Sequence, residues 1–215
     1  MVPTWQPSID YLETAVASIL DQFDAGDPVQ IELVDDCSPD FDVTAFANRF
    51  GSGRISAHRN ERHRGLAGNW NTCIARSKHP WVHLLHQDDY VLDGFYEAIL
   101  HGIAAAPDIA AAFSASWFAD ATGKRWSPRL VRMNQPGILT DWVQHIFVNL
   151  SIQCSAIVVR RKIYESMGGF DPALSHTLDW DMWKRIAVSH PIWFEPQPLA
   201  CFRRHHESET SRQRA

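Results

Sequence analysis

The positions of apolar and polar residues predict an alternation of helices and strands along most of the chain. Residues 9–23 carry apolar side chains three and four positions apart, which is the spacing of an amphipathic helix. After a break at Gly26 and Pro28, the short apolar run at 29–34 is typical of a buried strand. The same patterns predict strands at 54–58, 81–85, 109–115 and 154–159, extended segments at 192–194 and 199–202, and helices at 43–50, 67–77, 95–103, 141–150 and 178–189.

This order of elements predicts the fold class. Strands that alternate with helices form a mainly parallel or mixed, doubly wound sheet with helices on both faces, as in Rossmann-like α/β proteins. No internal repeat, low-complexity tract or linker interrupts residues 1–215, so we expect a single domain. Ligands of such sheets bind beyond the carboxyl ends of the strands, and the polar residues that follow each strand are therefore the candidates for a site.

Composition and charge narrow the class of partner. The chain has 215 residues, a net charge of -5 and a pI of about 6.1, so no general attraction to nucleic acid is expected. No apolar run reaches the ~20 residues of a membrane span, and the N-terminus does not resemble a signal peptide. The four cysteines form no CxxC pair, which favours reduced thiols. We therefore expect a cytoplasmic protein, and peripheral attachment at the inner membrane face or to a protein partner stays open.

Two pairs of aspartates end apolar strands. Asp35-Asp36 either contacts a ligand or simply caps a turn or helix, since Asp is common at such positions. In Asp88-Asp89, adjacent carboxylates beside a buried strand repel each other unless something cationic or solvent separates them. A divalent cation with oxygen ligands is the functional interpretation of this second pair, and a solvated loop is the alternative.

Two histidines precede the second pair, and a further pair of acids opens a later helix. His83 and His86 are three apart, so on a strand they would point to opposite faces and could not readily share one metal. We interpret His83 as structural and His86 as a neighbour of the site. Asp179 and Asp181 open the helix at 178–189, where an acid stabilises the helix dipole or, alternatively, acts as a general base toward a hydroxyl.

Taken together, these residues resemble the motifs of family-2 glycosyltransferases with the GT-A fold, over nearly the whole chain. VDDCS at 34–38 is similar to the nucleotide-binding VDDxS motif. HQDD at 86–89 is similar to the metal-binding DXD motif, with Gln87 in place of its first Asp. Each match is weak alone, but their order and spacing are specific. The other similar segments are PTWQ at 3–6, RGLAGNWN at 64–71, GGFD at 168–171, LDWDMW at 178–183 and FRRH at 202–205.

The resemblance implies an inverting transferase that moves a sugar from a nucleotide sugar, most often UDP-linked, to an acceptor hydroxyl. The implied cofactor is Mn²⁺ or Mg²⁺, and the implied acceptor is a saccharide, a lipid-linked group or another hydroxyl compound, as in polysaccharide and cell-envelope synthesis. Asp179 matches the catalytic base and Asp181 a more structural acid. The implied metal ligands are Asp89 and His205, and the implied contacts to the nucleotide sugar are Thr4, Asp35, Asp36, Arg64, Asn71, Asp88 and Arg203.

The resemblance also divides the chain, with residues 1–115 expected to bind the nucleotide sugar and 116–215 to face the acceptor. Only Met1 and Val2 precede Pro3, where the family has several apolar residues, so a truncated first strand is expected. Two other functions stay open. One is a catalytically silent protein that binds nucleotide sugars or acts as a scaffold. The other is a sugar-phosphate nucleotidyltransferase, although such enzymes carry a Gly-rich basic loop where this chain has PTWQP.

Overall fold

The first half of the chain alternates strands and helices as the sequence predicts. The structure is a computed structural model that describes residues 1–129, 133–139, 142–148, 152–174 and 177–205. The predicted strands and helices of this half are confirmed, with ends shifted by a few residues. The elements of this half are β1 (Val2–Thr4), α1 (Ile9–Leu20), β2 (Ile31–Asp35), α2 (Val43–Phe50), β3 (Ile55–Arg59), α3 (Gly65–Arg76), β4 (Trp81–His83), β5 (Tyr90–Val91) and α4 (Phe95–Ala105), and among them the strand β5 was not predicted.

The second half departs from the prediction in three places. The extended segments at 192–194 and 199–202 belong to one strand whose pairing register shifts near Pro198. The start of the strand predicted at 154–159 is a 3-10 helix, Cys154–Ala156. The strands β7 and β8 were not predicted: β8 has only two residues, and the five residues of β7 include Pro128, which is unfavourable inside a strand. The remaining elements are β6 (Ala111–Ala119), β7 (Arg125–Arg129), β8 (Gly137–Ile138), α5 (Trp142–Val148), β9 (Ile157–Arg160), α6 (Arg161–Ser166), α7 (Leu178–Ser189) and β10 (Ile192–Arg203). Positions 141, 149 and 150 of the helix predicted at 141–150 lie outside the described residues.

Two sheets join edge to edge at Met1. The strands β1, β2 and β3 are parallel neighbours in that order, and the second sheet is mixed, with the order β4-β9-β6-β10-β5. The Met1 nitrogen donates to the His83 carbonyl at 2.9 Å, and the Leu85 nitrogen donates to the Met1 carbonyl at 3.1 Å. These bonds place β1 between β2 and β4. The residues that follow β2 and β4 therefore share one edge of the combined sheet, as the sequence predicts.

Helices cover both faces of this layer, which confirms the doubly wound α/β class. Side chains alternate along β9, where Ile157 and Val159 enter one buried cluster and Val158 enters the other. The first cluster packs α3, α6 and α7 on the sheet around Trp183, and the second packs α1, α2 and α4 around Phe95. Within the described ranges, none of the helices is long and apolar enough to cross a membrane.

Candidate active site

Asp35, the last residue of β2, is fully buried, and its carboxylate accepts hydrogen bonds from other residues of the chain. Its Oδ2 accepts from the Arg59 guanidinium at 2.7 Å and from the Ser38 nitrogen at 3.0 Å. Its Oδ1 accepts from the Ser38 hydroxyl at 2.6 Å and from the Thr4 hydroxyl at 3.4 Å. The charge-assisted bond from Arg59 stabilises the carboxylate in this interior position. Asp35 therefore ties together the ends of β1, β2 and β3.

Asp36 is also buried, and its carboxylate caps the start of α3. Oδ1 accepts from the Arg64 nitrogen and Oδ2 from the Gly65 nitrogen, each at 2.9 Å. The first N–H groups of a helix lack partners within it, and the helix dipole favours an anion there. The Arg64 side chain itself is exposed. His63 Nδ1 lies 2.8 Å from Asp36 Oδ2, and its side chain, 51% exposed, is the most accessible donor to either aspartate.

Two buried amides that the sequence did not single out complete this corner. Asn60 Nδ2 donates to Asp36 Oδ1 at 2.8 Å and to Asn69 Oδ1 at 3.0 Å. Asn69 Nδ2 donates in turn to the Val34 carbonyl at 3.0 Å. Buried amides require partners, but a polar segment such as 60–71 does not reveal which of its residues are buried. The only signal was that Asn69 lies in the segment 64–71, which resembles the family.

Gln87 joins the loop after β4 to the loop after β1. Its Oε1 accepts from the Trp5 nitrogen at 2.8 Å, and its Nε2 donates to the Trp5 carbonyl at 3.0 Å. The Trp5 ring lies 4.0 Å from the His63 ring, so this link continues to Asp36. A carboxylate at position 87 has no proton to donate to that carbonyl. Gln87, the residue that departs from the DXD motif, therefore holds the loop after β1 in place through the main chain of Trp5.

The two aspartates after β4 have different partners near the end of β10. Asp88 Oδ2 lies 2.9 Å from His205 Nε2, and the Asp88 side chain is 23% exposed. Asp89 is buried, and its Oδ1 accepts from the Arg203 nitrogen at 2.8 Å. Arg203 Nε donates to the Asp88 carbonyl at 2.9 Å, so its guanidinium contacts main chain. The fold thus brings together two pairs of residues, and the members of each pair are more than 110 positions apart in sequence.

His86, Asp88 and Asp89 form a group that fits a cation. One ligand atom from each lies within 4.8 Å of the others. Asp89 Oδ2 and His86 Nε2 are buried and have no partner in hydrogen-bond geometry among the described residues, although the Ser155 hydroxyl acts to lower the pKa of Asp89. Burial and the charge of Asp88 raise the pKa of Asp89 well above its usual range, and burial lowers the pKa of His86. A buried carboxylate oxygen without a donor is costly, and a divalent cation would remove that cost.

His83 lies apart from this group and has the structural role that the sequence predicts. Its Nδ1 is 3.0 Å from the Tyr96 hydroxyl, and its Nε2 is 3.1 Å from the Ser155 carbonyl. Burial lowers the pKa of His83 to about 3, so it is neutral at physiological pH. A neutral imidazole with both nitrogens bonded serves as a connection between β4, α4 and the segment before β9.

Asp179 lies in the first turn of α7, and burial raises its pKa to about 6. Its Oδ1 accepts from the Trp180 nitrogen at 2.8 Å. Burial is the main cause of the raised pKa of the Cys154 thiol, and the charges of Asp179 and Asp89 add to it. A carboxylate with a pKa near 6 is ionised at neutral pH and is a stronger proton acceptor than an exposed aspartate.

Asp181 and Asn71 hold the segment before α7 from two sides. Asp181 pairs with Arg185 at 2.8 Å, and Arg185 also donates to the Gly169 carbonyl at 2.9 Å. Asn71 Nδ2 donates to the Phe170 carbonyl at 2.9 Å, and its Oδ1 accepts from the Phe170 nitrogen at 2.8 Å. Both amide atoms of Asn71 are therefore engaged with main chain, and α3 and α7 fix the same short segment.

Alanine at Gly169 is expected to disrupt this arrangement. Gly169 has a φ of +75°, and an added Cβ would lie 2.5 Å from Asn71 Oδ1. We expect Gly169→Ala to lower the free energy of unfolding by about 2–4 kcal/mol, from backbone strain plus the clash. Gly168→Ala is the matched control, because Gly168 has a φ of +77° and no described atom within 4 Å of the added Cβ. Urea unfolding measures both, and equal losses would contradict a close Asn71 contact.

Comparison with known proteins gives a family and related folds. Residues 1–168 match the model of Glycosyl transferase family 2. Uncharacterized protein MT1568 of Mycobacterium tuberculosis (strain CDC 1551 / Oshkosh) is 26% identical over 219 residues, which cover 94% of this chain and 65% of that protein. Crystal structures of residues 1–349 of S. aureus TarS, in complex with UDP and with UDP-GlcNAc, give TM-scores of 0.76 and 0.77 at 15% identity. The structural matches cover 96% and 98% of this chain. They cover only 60% and 59% of the two TarS chains, so this chain spans less than two thirds of the length of each.

Proposed function

Because the chain belongs to glycosyl transferase family 2, we propose that it transfers a sugar from a UDP-linked donor to an acceptor hydroxyl, with inversion at the anomeric carbon. The observations that carry the proposal are that Asp36 after β2 and Asp88 after β4 lie at one edge of the combined sheet, and that the pKa of Asp179 at the start of α7 is raised. Each would handle one part of the reaction, namely the nucleoside, the diphosphate and the acceptor. TarS, which shares the fold, binds UDP and UDP-GlcNAc in its crystal structures, and this supports the choice of donor.

The nucleoside would bind beside Asp35 and Asp36. A carboxylate has about four acceptor positions, and donors of the chain already occupy those of both residues. A base N–H can therefore reach Asp36 only by displacing a donor. His63 is the exchangeable one, because its exposed imidazole can turn to water without leaving a buried group unpaired. The Trp5 ring, now against His63, would then be available to stack on the base, with Thr4 and Arg64 as neighbours.

The diphosphate would bind beside Asp88. Asp88 and His205 would hold a divalent cation, Mn²⁺ or Mg²⁺, with Asp89 and His86 behind them. Such an ion supplies positive charge against the departing diphosphate. The family resemblance implies Asp89 as the direct ligand, whereas the 2.9 Å contact between Asp88 and His205 favours Asp88 as the partner of His205. Because Arg203 already donates to main chain, we assign it to support of the acid pair.

Asp179 would act as the general base. It would take the proton of the acceptor hydroxyl as the hydroxyl oxygen bonds the anomeric carbon and the nucleoside diphosphate leaves from the opposite face. One displacement of this kind inverts the anomeric carbon and needs no covalent intermediate, so a single base suffices. Asp181 stays paired with Arg185, which is consistent with a supporting role.

The division of the chain follows from the same assignment. Asp36 and Asp88 lie in residues 1–115, which we assign to the nucleotide sugar, and Asp179 lies in 116–215, which we assign to the acceptor side. The acceptor would be a saccharide, a lipid-linked compound or another compound with a hydroxyl group. The proposed chemistry requires only that this hydroxyl gives up its proton.

Nucleotide binding is the direct test of this proposal. We expect UDP to raise the melting temperature, and to raise it more with Mn²⁺ than with EDTA. A ligand at 100 times its Kd contributes about 2.7 kcal/mol to stability, which for a chain of this size is a shift of about 5–10 °C. Differential scanning fluorimetry with UDP, GDP and ADP, each with Mn²⁺ or EDTA, measures it. If no nucleoside diphosphate shifts the melting temperature in either condition, the proposed function is wrong.

A further inference from the structure

Arg203 lies behind the acid pair with its charge covered by aromatic rings. It is 4% exposed, although it is the last residue of β10. Its guanidinium carbon lies 4.4 Å from the centre of the Tyr11 ring and 5.2 Å from that of Tyr90. Among the residues that the structure describes, no carboxylate oxygen lies within 4.0 Å of its guanidinium nitrogens. Cation–π contact with the two tyrosines therefore stabilises the charge in the interior.

The donors of Arg203 fix both aspartates. The main-chain nitrogen donates to Asp89 Oδ1 at 2.8 Å, and Nε donates to the Asp88 carbonyl at 2.9 Å. Nη1 reaches the Asp120 carbonyl at 3.4 Å, in the turn between β6 and β7. A shift of the guanidinium would therefore move the main chain of Asp88 and loosen the loop that carries both acids.

Tyr11 also contacts His205, the other residue that bonds to the acid pair. Its ring centre lies 5.0 Å from that of His205, whose Nε2 is 2.9 Å from Asp88 Oδ2. Its hydroxyl reaches the Ala121 carbonyl at 3.4 Å, a long and weak bond. The ring of Tyr11, far more than its hydroxyl, thus links α1 to Arg203 and to His205.

We propose that Tyr11 is a positioning residue of the cation site. Its ring holds the Arg203 guanidinium over the Asp88 main chain and holds the His205 imidazole toward the Asp88 carboxylate. Loss of the ring would expose the buried Arg203 guanidinium, which would then turn toward water. Both the contact of Arg203 with the Asp88 main chain and the contact of His205 with the Asp88 carboxylate would be lost. This inference rests on the proposed function only in assigning a divalent cation to Asp88 and His205.

The test compares Tyr11→Leu with Tyr11→Phe, which keeps the ring and removes only the weak hydroxyl contact. Mn²⁺ binding is measured on the whole chain from the electron paramagnetic resonance signal of free Mn²⁺, without nucleotide. We expect Tyr11→Leu to weaken Mn²⁺ binding about 10–100-fold, as loss of a supporting contact does at metal sites. We expect Tyr11→Phe to match the wild type, and UDP binding in EDTA to be unchanged in both variants.

Each outcome decides the inference. Equal Mn²⁺ binding by Tyr11→Leu and the wild type would overturn it, as would an equal loss in Tyr11→Phe or a wild type that binds no Mn²⁺. A wild type that binds Mn²⁺ but no nucleotide would defeat the proposed function and leave the inference standing. If Tyr11→Leu does not fold, Tyr90→Leu removes the second ring from Arg203. It is expected to weaken Mn²⁺ binding in the same direction, and unchanged binding there would count against the role of the rings.

Discussion

Replacement of Asp179 by asparagine is expected to lower kcat about 10²–10⁴-fold while leaving UDP binding unchanged. Asparagine keeps the size of the side chain and can still accept from the Trp180 nitrogen, so the start of α7 is preserved. It cannot take a proton from the acceptor hydroxyl. Release of UDP from UDP-sugars in the presence of a panel of saccharide acceptors measures turnover, and calorimetry with UDP and Mn²⁺ measures binding.

The pH profile separates a lost base from a damaged fold. Burial raises the pKa of Asp179 to about 6 from its usual 3.8, and the base works only when ionised. Wild-type turnover should therefore rise with pH through about 6 and level off above it, and the asparagine variant should lack this rise. Asp181→Asn is the control, because it breaks the pair with Arg185 and is expected to keep the rise. Equal turnover by Asp179→Asn and the wild type would reject the base assignment.

Replacement of Asp88 by asparagine is expected to abolish most of the response to Mn²⁺ and to lower kcat/KM about 10²–10³-fold. The reason is that a cation beside a leaving diphosphate contributes several kcal/mol of charge stabilisation, and each 1.4 kcal/mol is about tenfold in rate. The measurements are the Mn²⁺ dependence of UDP release and of the melting temperature with UDP. Asp93→Asn removes one negative charge from an exposed position five residues further along the chain and should behave as the wild type.

The matched variant Asp89→Asn decides between the two acids. Asparagine keeps the size of Asp89 and can still accept from the Arg203 nitrogen, so the loop after β4 should be preserved in EDTA. If Asp89→Asn loses the Mn²⁺ response and Asp88→Asn keeps it, the direct ligand is Asp89, as the family resemblance implies. If Asp88→Asn loses it, the contact with His205 has identified the ligand.

Much of the fold was predictable because its signals are local. The helix at 178–189 is confirmed residue for residue as α7, since its apolar positions follow one face and its first turn is acidic. The short strands β5 and β8 were not predicted, because two residues carry no period and their pairing with β10 is a long-range event. The edge shared by the ends of β2 and β4 could be inferred from topology alone.

The partners of the site residues were much less predictable. Asn71 was assigned to the nucleotide sugar, yet both its amide atoms bond to Phe170, which lies 99 positions away. Gln87 was noted only as a replacement for the first Asp of the DXD motif, whereas in the structure its amide bonds to the main chain of Trp5. Each contact joins segments that are distant in the chain, and a side-chain amide can bond to a ligand or to a main-chain carbonyl equally well.

The sequence by itself determined the doubly wound class, the glycosyltransferase family and the places where acids follow strands, because these depend on periodicity and on motif order. Only the tertiary structure decided which acid meets His205, which donors fill Asp36 and why Asp179 has a raised pKa. Those properties depend on burial and on the distance between groups far apart in the chain. A linear pattern of residues carries neither quantity.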